Sequence, residues 1–128
     1  MAVLGINHGG KGVVSWNDPT TADIKASSVL LAKALPRLTP FMFSHTASFS
    51  AFKIKRVDVA VWREGTRALV LATNLNYAPV EVDVAALGLE KVQGVEQVLD
   101  GGGKATGSGT KVKLVFEEIG TAAWVIKV

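Results

Sequence analysis

From Phe52 onward apolar residues recur at every second position, and turn-forming residues interrupt the pattern at short intervals. A period of two is the signature of strands with one buried face. Phe52 and Ile54 alternate with Lys53 and Lys55, after which Val57, Val59 and Val61 continue the apolar set one residue out of step. That slip at Lys55-Arg56 predicts a β-bulge. Glu64-Gly65 reads as a hairpin turn, and Arg67 to Asn74, apolar on both faces, reads as a central strand. Asn76-Tyr77-Ala78-Pro79 predicts a turn, and Val80, Val82 and Val84 alternate with Glu81 and Asp83 on a strand that meets water on one side. A short strand is expected over 95–99, a flexible loop over Asp100-Gly101-Gly102-Gly103 and Gly107-Ser108-Gly109, and two closing strands over 111–116 and 122–128 joined by Glu117-Glu118-Ile119-Gly120.

About six or seven short strands with turns between them predict a mainly β chain, an antiparallel sandwich of immunoglobulin-like or fibronectin-like type. The sandwich is expected over 49–128, after an unlike segment over 1–48. In that first segment Gly12-Val13-Val14-Ser15-Trp16 predicts a short strand, with an Asn17-Asp18-Pro19-Thr20 turn after it. One helix is expected from about Thr21 to Leu35, with Thr20 as its N-cap and Asp23 at the capping-box position. Ile24, Ser28, Leu31 and Leu35 share one face, and Pro36 is expected to stop the helix because it lacks an N–H donor. Pro40-Phe41-Met42-Phe43 is then an apolar connector that needs cover.

Composition excludes several kinds of chemistry. A 48% hydrophobic fraction in 128 residues supports a core without staples. Cys is absent, which removes disulfides, Cys-ligated zinc and a thiol nucleophile. No apolar run reaches the ~18 residues of a membrane span, and the Gly-rich start at Met1 does not read as a signal peptide. The net charge of +3 is unevenly spread: the part through Arg56 carries seven Lys/Arg against two acids. That excess favours anionic partners weakly, and no nucleic-acid motif accompanies it.

Few motifs could carry a reaction. Gly5-Ile6-Asn7-His8-Gly9-Gly10-Lys11-Gly12 approaches a P-loop, but Gly12 stands where Ser or Thr would hold magnesium, and a strand is expected to follow instead of a helix. His8 and His45 have no second ligand at helical or hairpin spacing, so a metal centre is not expected. Ser44-His45-Thr46 are neighbours in sequence, which does not make a triad. Glu117-Glu118 point to opposite faces, and Glu81 with Asp83 lies on the watery face, so no carboxylate pair is poised for glycoside cleavage. No catalytic residue, cofactor or metal is therefore expected. Trp62 and Trp124 read most simply as core aromatics.

From Gly9-Gly10-Lys11-Gly12-Val13-Val14-Ser15-Trp16-Asn17 onward the chain resembles the last barrel strand and last helix of a (β/α)₈ glycoside hydrolase of a kind found in fungi. The run from Val59-Ala60-Val61-Trp62 through Val70 to Leu75 and on to Ala123-Trp124-Val125-Ile126 resembles the β-sandwich that commonly follows such a barrel. The resemblance implies a C-terminal portion without the earlier strands that carry the catalytic carboxylates. It also implies that Trp16 would occupy the place of a sugar-lining tryptophan and that the address would be extracellular. By architecture alone, a Cys-free chain with one helix before a sandwich is similar to the small immunomodulatory proteins of bracket fungi, whose N-terminal helix mediates dimerisation.

Two readings follow. One is a non-catalytic protein that binds other proteins or cell surfaces, as a homodimer through Val13, Val14, Trp16, Ile24, Leu31 and Leu35, whose apolar side chains need cover. The alternative is a carbohydrate-binding or accessory module of a glycoside hydrolase, with Trp16, Trp62 and Tyr77 as its sugar platform and Tyr77 as the best exposed ring.

Overall fold

The computed structural model describes residues 2–11 and 21–128. Two helices, α1 (Ala2–Asn7) and α2 (Ala22–Met42), precede six strands. These are β1 (Ser48–Ile54), β2 (Val57–Glu64), β3 (Arg67–Asn74), β4 (Val80–Asp83), β5 (Gly94–Thr106) and β6 (Lys113–Lys127), with a 3₁₀ turn at Val84–Leu87. All pairings are antiparallel, in the order β1-β2-β3-β6-β4, and β5 pairs with β6 as well. The strand at Val13-Val14-Ser15-Trp16 and the Thr20 cap lie outside the described residues.

The sheet curls into a sandwich-like fold because β6 changes partner along its length. Lys113–Phe116 pairs with β4, whereas Thr121–Lys127 pairs with β3, and β5 follows β6 along both halves. At the bend Ile119 has φ 54° and Gly102 on β5 has φ 105°. The triglycine at 101–103 is therefore strand, not the flexible loop that its composition suggests. Backbone packing requires the glycines: a Cβ on Gly103 would lie 2.7 Å from Cβ of Ala122, and one on Gly101 would lie 2.7 Å from the Thr121 carbonyl oxygen. The two predicted closing strands are likewise one bent strand.

The phase slip at Lys55-Arg56 is a hairpin turn, not a bulge. Both residues have positive φ, 52° and 60°, as a two-residue type I′ turn demands. Ile54 pairs with Val57 and Phe52 with Val59. A two-residue reversal sets even positions opposite odd ones, which produces the slip while keeping both apolar sets on one face. The next turn, with Gly65 at φ 60°, joins β2 to β3 as the sequence predicts.

Strand periodicity divides the core in two. Val57, Val59, Val61, Val70, Phe116 and Trp124 belong to the inner cluster, closed by residues of β4, the 3₁₀ turn and the first half of β6. Ala60, Trp62, Leu69, Leu71, Ala123 and Val125 face the other way and pack beneath the helices. This is why β2 and β3 are apolar on both faces.

Helix α2 runs through Pro36 and Pro40 to Met42, beyond the expected stop. An interior proline costs a helix ~3 kcal/mol. Leu38, Phe41 and Met42 are buried on the sheet with Val3 and Ile6 of α1, and burial of such side chains returns about 1.5–3 kcal/mol each. Tertiary burial is thus large enough to hold the last turns helical. The buried stripe is Ala34, Leu38, Phe41 and Met42, displaced toward the C-terminus from the predicted face. Thr21 is the N-cap, and its hydroxyl, followed by the Ile24 N–H, holds the Asp23 carboxyl below the usual range.

Helix α1 was not expected. Gly9, at φ 98°, ends it with Gly10 N–H bonded to the Gly5 carbonyl (2.8 Å) and Gly9 N–H to the Ile6 carbonyl (3.0 Å). That pair of bonds is a Schellman C-cap.

Candidate functional site

Gly9-Gly10-Lys11 closes a helix, where a P-loop would open one. The nearby helix end presents carbonyl groups, the wrong polarity for a phosphate. The Lys11 ammonium donates 2.6 Å to the Met42 carbonyl, so it caps the end of α2.

His8 has a partner that spacing did not reveal. Its Nε2 lies 2.9 Å from Oδ2 of Asp58, while Asn7 Nδ2 donates to Asp58 Oδ1 (2.9 Å). Asp58 is buried on β2, and His8 is largely exposed. The contact satisfies a buried carboxylate and fastens α1 to the sheet. His45 is exposed in the loop before β1. Its neighbours Ser44 and Thr46 donate to Oε1 of Glu64 at 2.9 and 2.7 Å. Thr46 first and Ser44 second hold that carboxyl below its ordinary range. Glu81, Asp83, Glu117 and Glu118 are all exposed. Among the described residues no three His, Asp or Glu side chains group closely enough to hold a metal ion.

The aromatic residues are scattered. Trp62 is 4% exposed, tilted against Phe49 at a centroid separation of 5.0 Å. It fills the layer beneath the helices and offers no open ring face for a sugar, which corrects its place in the platform. Trp124 is fully buried and meets Phe116 edge to face. Trp16 lies outside the described residues. Tyr77, 87% exposed in the β3–β4 turn, is the one platform residue that the structure shows open to solvent.

The expected interface residues also separate. Val13, Val14 and Trp16 lie outside the described residues. Leu31 and Leu35 are half-buried against the layer beneath the helices, and Ile24 is 50% exposed. Ile24 has company in Val29 and Leu30, so the first half of α2 carries apolar side chains in water while its second half is buried. Between this half of α2 and the bend of the sheet lies a groove of 350 Å³, lined by Leu30, Leu31, Val3, Leu99, Ile119 and Thr121, among others. Ile119 lines it from the bend, where a β-branched residue at positive φ is a strained rarity. In the sequence Ile119 falls in an expected linker between two strands. Its role depends on the β6 bend, which no local pattern signals.

No protein-family model matches the chain, and no curated protein matches it. Among solved structures, it is similar to the alpha-glucosyl transfer enzyme XgtA, with 19% identity and a TM-score of 0.44 over 85% of this chain and 22% of that one. It is also similar to Amy13B of Eubacterium rectale, with 11% identity and a TM-score of 0.45 over 92% of this chain and 24% of that one. The chain thus spans under a quarter of the length of either. At that likeness neither neighbour bears on activity or ligand here.

Proposed function

We propose that this chain is a non-catalytic accessory module of a glycoside-hydrolase-type protein, and that it works by packing the first half of α2 against a larger folded partner. The observation that carries the reading is the groove of 350 Å³ flanked by exposed Leu30 and Ile119. A helix buried at one end and apolar but uncovered at the other is a docking element. The resemblance of the sequence to the end of a barrel followed by its sandwich supports the same reading. Sugar binding finds less support, because Trp62 is buried and, among the described residues, Tyr77 alone of the platform rings is open to solvent.

The purified chain is expected to release no nitrophenol from nitrophenyl glycosides of glucose, galactose or N-acetylglucosamine. It is also expected to give no heat with maltooligosaccharides or chitin oligomers in calorimetry. Anilinonaphthalene sulfonate, a probe of open apolar surface, should fluoresce with the chain and lose most of that signal with the double substitution Ile24→Ser, Leu30→Ser. Turnover that disappears on substitution of one carboxylate would overturn the non-catalytic reading. Unchanged dye fluorescence in the double variant would remove the docking face.

A further inference from the structure

The three strands at the margins of the sheet are protected unequally. β4 is four residues long and carries Glu81 and Asp83. β5 is interrupted by register shifts at Gln97/Leu99 and Gly101/Gly103, and it carries Glu96, Asp100 and Lys104. Short length, charge and bulges are the usual means by which an edge avoids pairing. β1 has seven residues in unbroken register with β2, no proline, and Lys53 as its one charge. Among the described residues nothing pairs with its outer edge.

The turn dictates which groups face outward. In a two-residue hairpin the flanking residues, here Ile54 and Val57, exchange backbone hydrogen bonds, and bonded pairs then alternate along the ladder. Phe52, Ser50 and Ser48 therefore bond inward to β2. Phe49, Ala51 and Lys53 turn their N–H and C=O groups outward. The close Phe49–Trp62 rings agree, since side chains approach most nearly in non-bonded pairs.

These outward residues are symmetric about Ala51. We infer that β1 pairs with β1 of a second copy of this chain, antiparallel and centred on Ala51. In that register Ala51 meets its counterpart, and Phe49 meets Lys53 from each side, so all three outward residues bond. The single charge of each strand sits beside the other's aromatic ring, a cation–π arrangement, and the two ammonium groups lie at opposite ends. Phe49, 45% exposed, gains cover on one face of the extended sheet. Phe52 and Ile54, half-buried at the rim of the inner cluster, gain cover on the other. Self-complementarity favours a second copy over an unrelated strand.

Sedimentation velocity from low to high micromolar concentration tests this interface separately from the α2 docking face. The average mass of the chain is expected to rise toward twice the monomer. Ala51→Pro removes an outward N–H and no β1–β2 bond, so it should fold by circular dichroism and stay monomeric. Should that variant fail to fold, the native absence of Cys allows a second reading. Ala51→Cys should form disulfide-linked dimers on oxidation several-fold faster than Ser48→Cys, whose counterparts lie at opposite ends of the pair. Ile24→Ser with Leu30→Ser should leave the dimer intact. A wild-type monomer at every concentration, a folded Ala51→Pro that still dimerises, equal cross-linking at the two cysteines, or loss of the dimer in the helix variant would each overturn the inference.

Discussion

Asn74 has no exposed surface, and all four of its side-chain hydrogen-bonding positions are filled. Its Nδ2 donates to the Ala78 and Glu117 carbonyls, each at 2.9 Å. Its Oδ1 accepts from the N–H (2.9 Å) and the Nδ2 (2.7 Å) of Asn76. Asn76 in turn donates to the Lys55 carbonyl at 2.7 Å and accepts from the Ile119 N–H at 3.0 Å. The Asn74-Leu75-Asn76 run thus ties the β1–β2 turn, the β3–β4 loop and the β6 bend together. Asn74→Ala removes the donor from two part-buried carbonyl bonds and the acceptor of two Asn76 bonds, and an unsatisfied buried group costs about 1–3 kcal/mol. Urea unfolding should show Asn74→Ala destabilised by about 2–3 kcal/mol under the same rule, with Asn74→Asp no better because it sets an acceptor against those carbonyls.

At the scale of elements, the β1–β2 hairpin and α2 each oppose a local preference. Lys55 and Arg56 occupy left-handed conformations that cost an ordinary L-residue about 1–2 kcal/mol, and that Asn-Gly adopts readily. Replacing the pair with Asn-Gly should raise stability by about 1 kcal/mol, read as a higher denaturation midpoint with unchanged slope. Helix α2 has two unequal halves. Leu38 has no exposed surface, so Leu38→Ala should cost about 2–5 kcal/mol. Ile24→Ala, on the exposed half, should change stability by less than about 0.5 kcal/mol. Equal losses at the two positions would show that the first half is covered in the folded chain. The buried stripe lies later in α2 than its periodicity suggests, because Ile24, Ser28, Leu31 and Leu35 satisfy helical spacing as well as Ala34, Leu38, Phe41 and Met42 do. Periodicity finds a face but not the length of helix that lies over the sheet.

Across the whole molecule, α2 is fastened to the sheet at its surface by Arg37, which donates to both oxygens of Glu96 on β5 at 2.7 and 2.6 Å. That bond holds the Glu96 carboxyl below its ordinary value of 4.5, as the Thr46 and Ser44 hydroxyls do for Glu64. A carboxyl held low in the folded chain takes up its proton less readily there than in the unfolded chain. Its contribution is complete above pH 4.5 and is lost as the pH falls below that value, through the folded one. Melting temperature should therefore decline in that acid window, and Arg37→Ala should flatten part of the decline. Both groups are exposed, so the effect is small and shrinks with added salt.

The mainly antiparallel β fold, the central strand β3, the water-facing residues of β4 and the burial of Trp124 were legible in the residues alone. Each rests on side-chain alternation or on the large apolar area of an indole, properties that a strand carries wherever it packs. The folded structure alone decided that Lys55-Arg56 reverses the chain and that the triglycine packs inside a strand. It also decided that α2 crosses two prolines, that His8 meets Asp58, and that β1 is an unpaired edge among the described residues. These outcomes depend on partners dozens of residues away, whose burial and hydrogen bonding outweigh local propensities of a few kcal/mol at most.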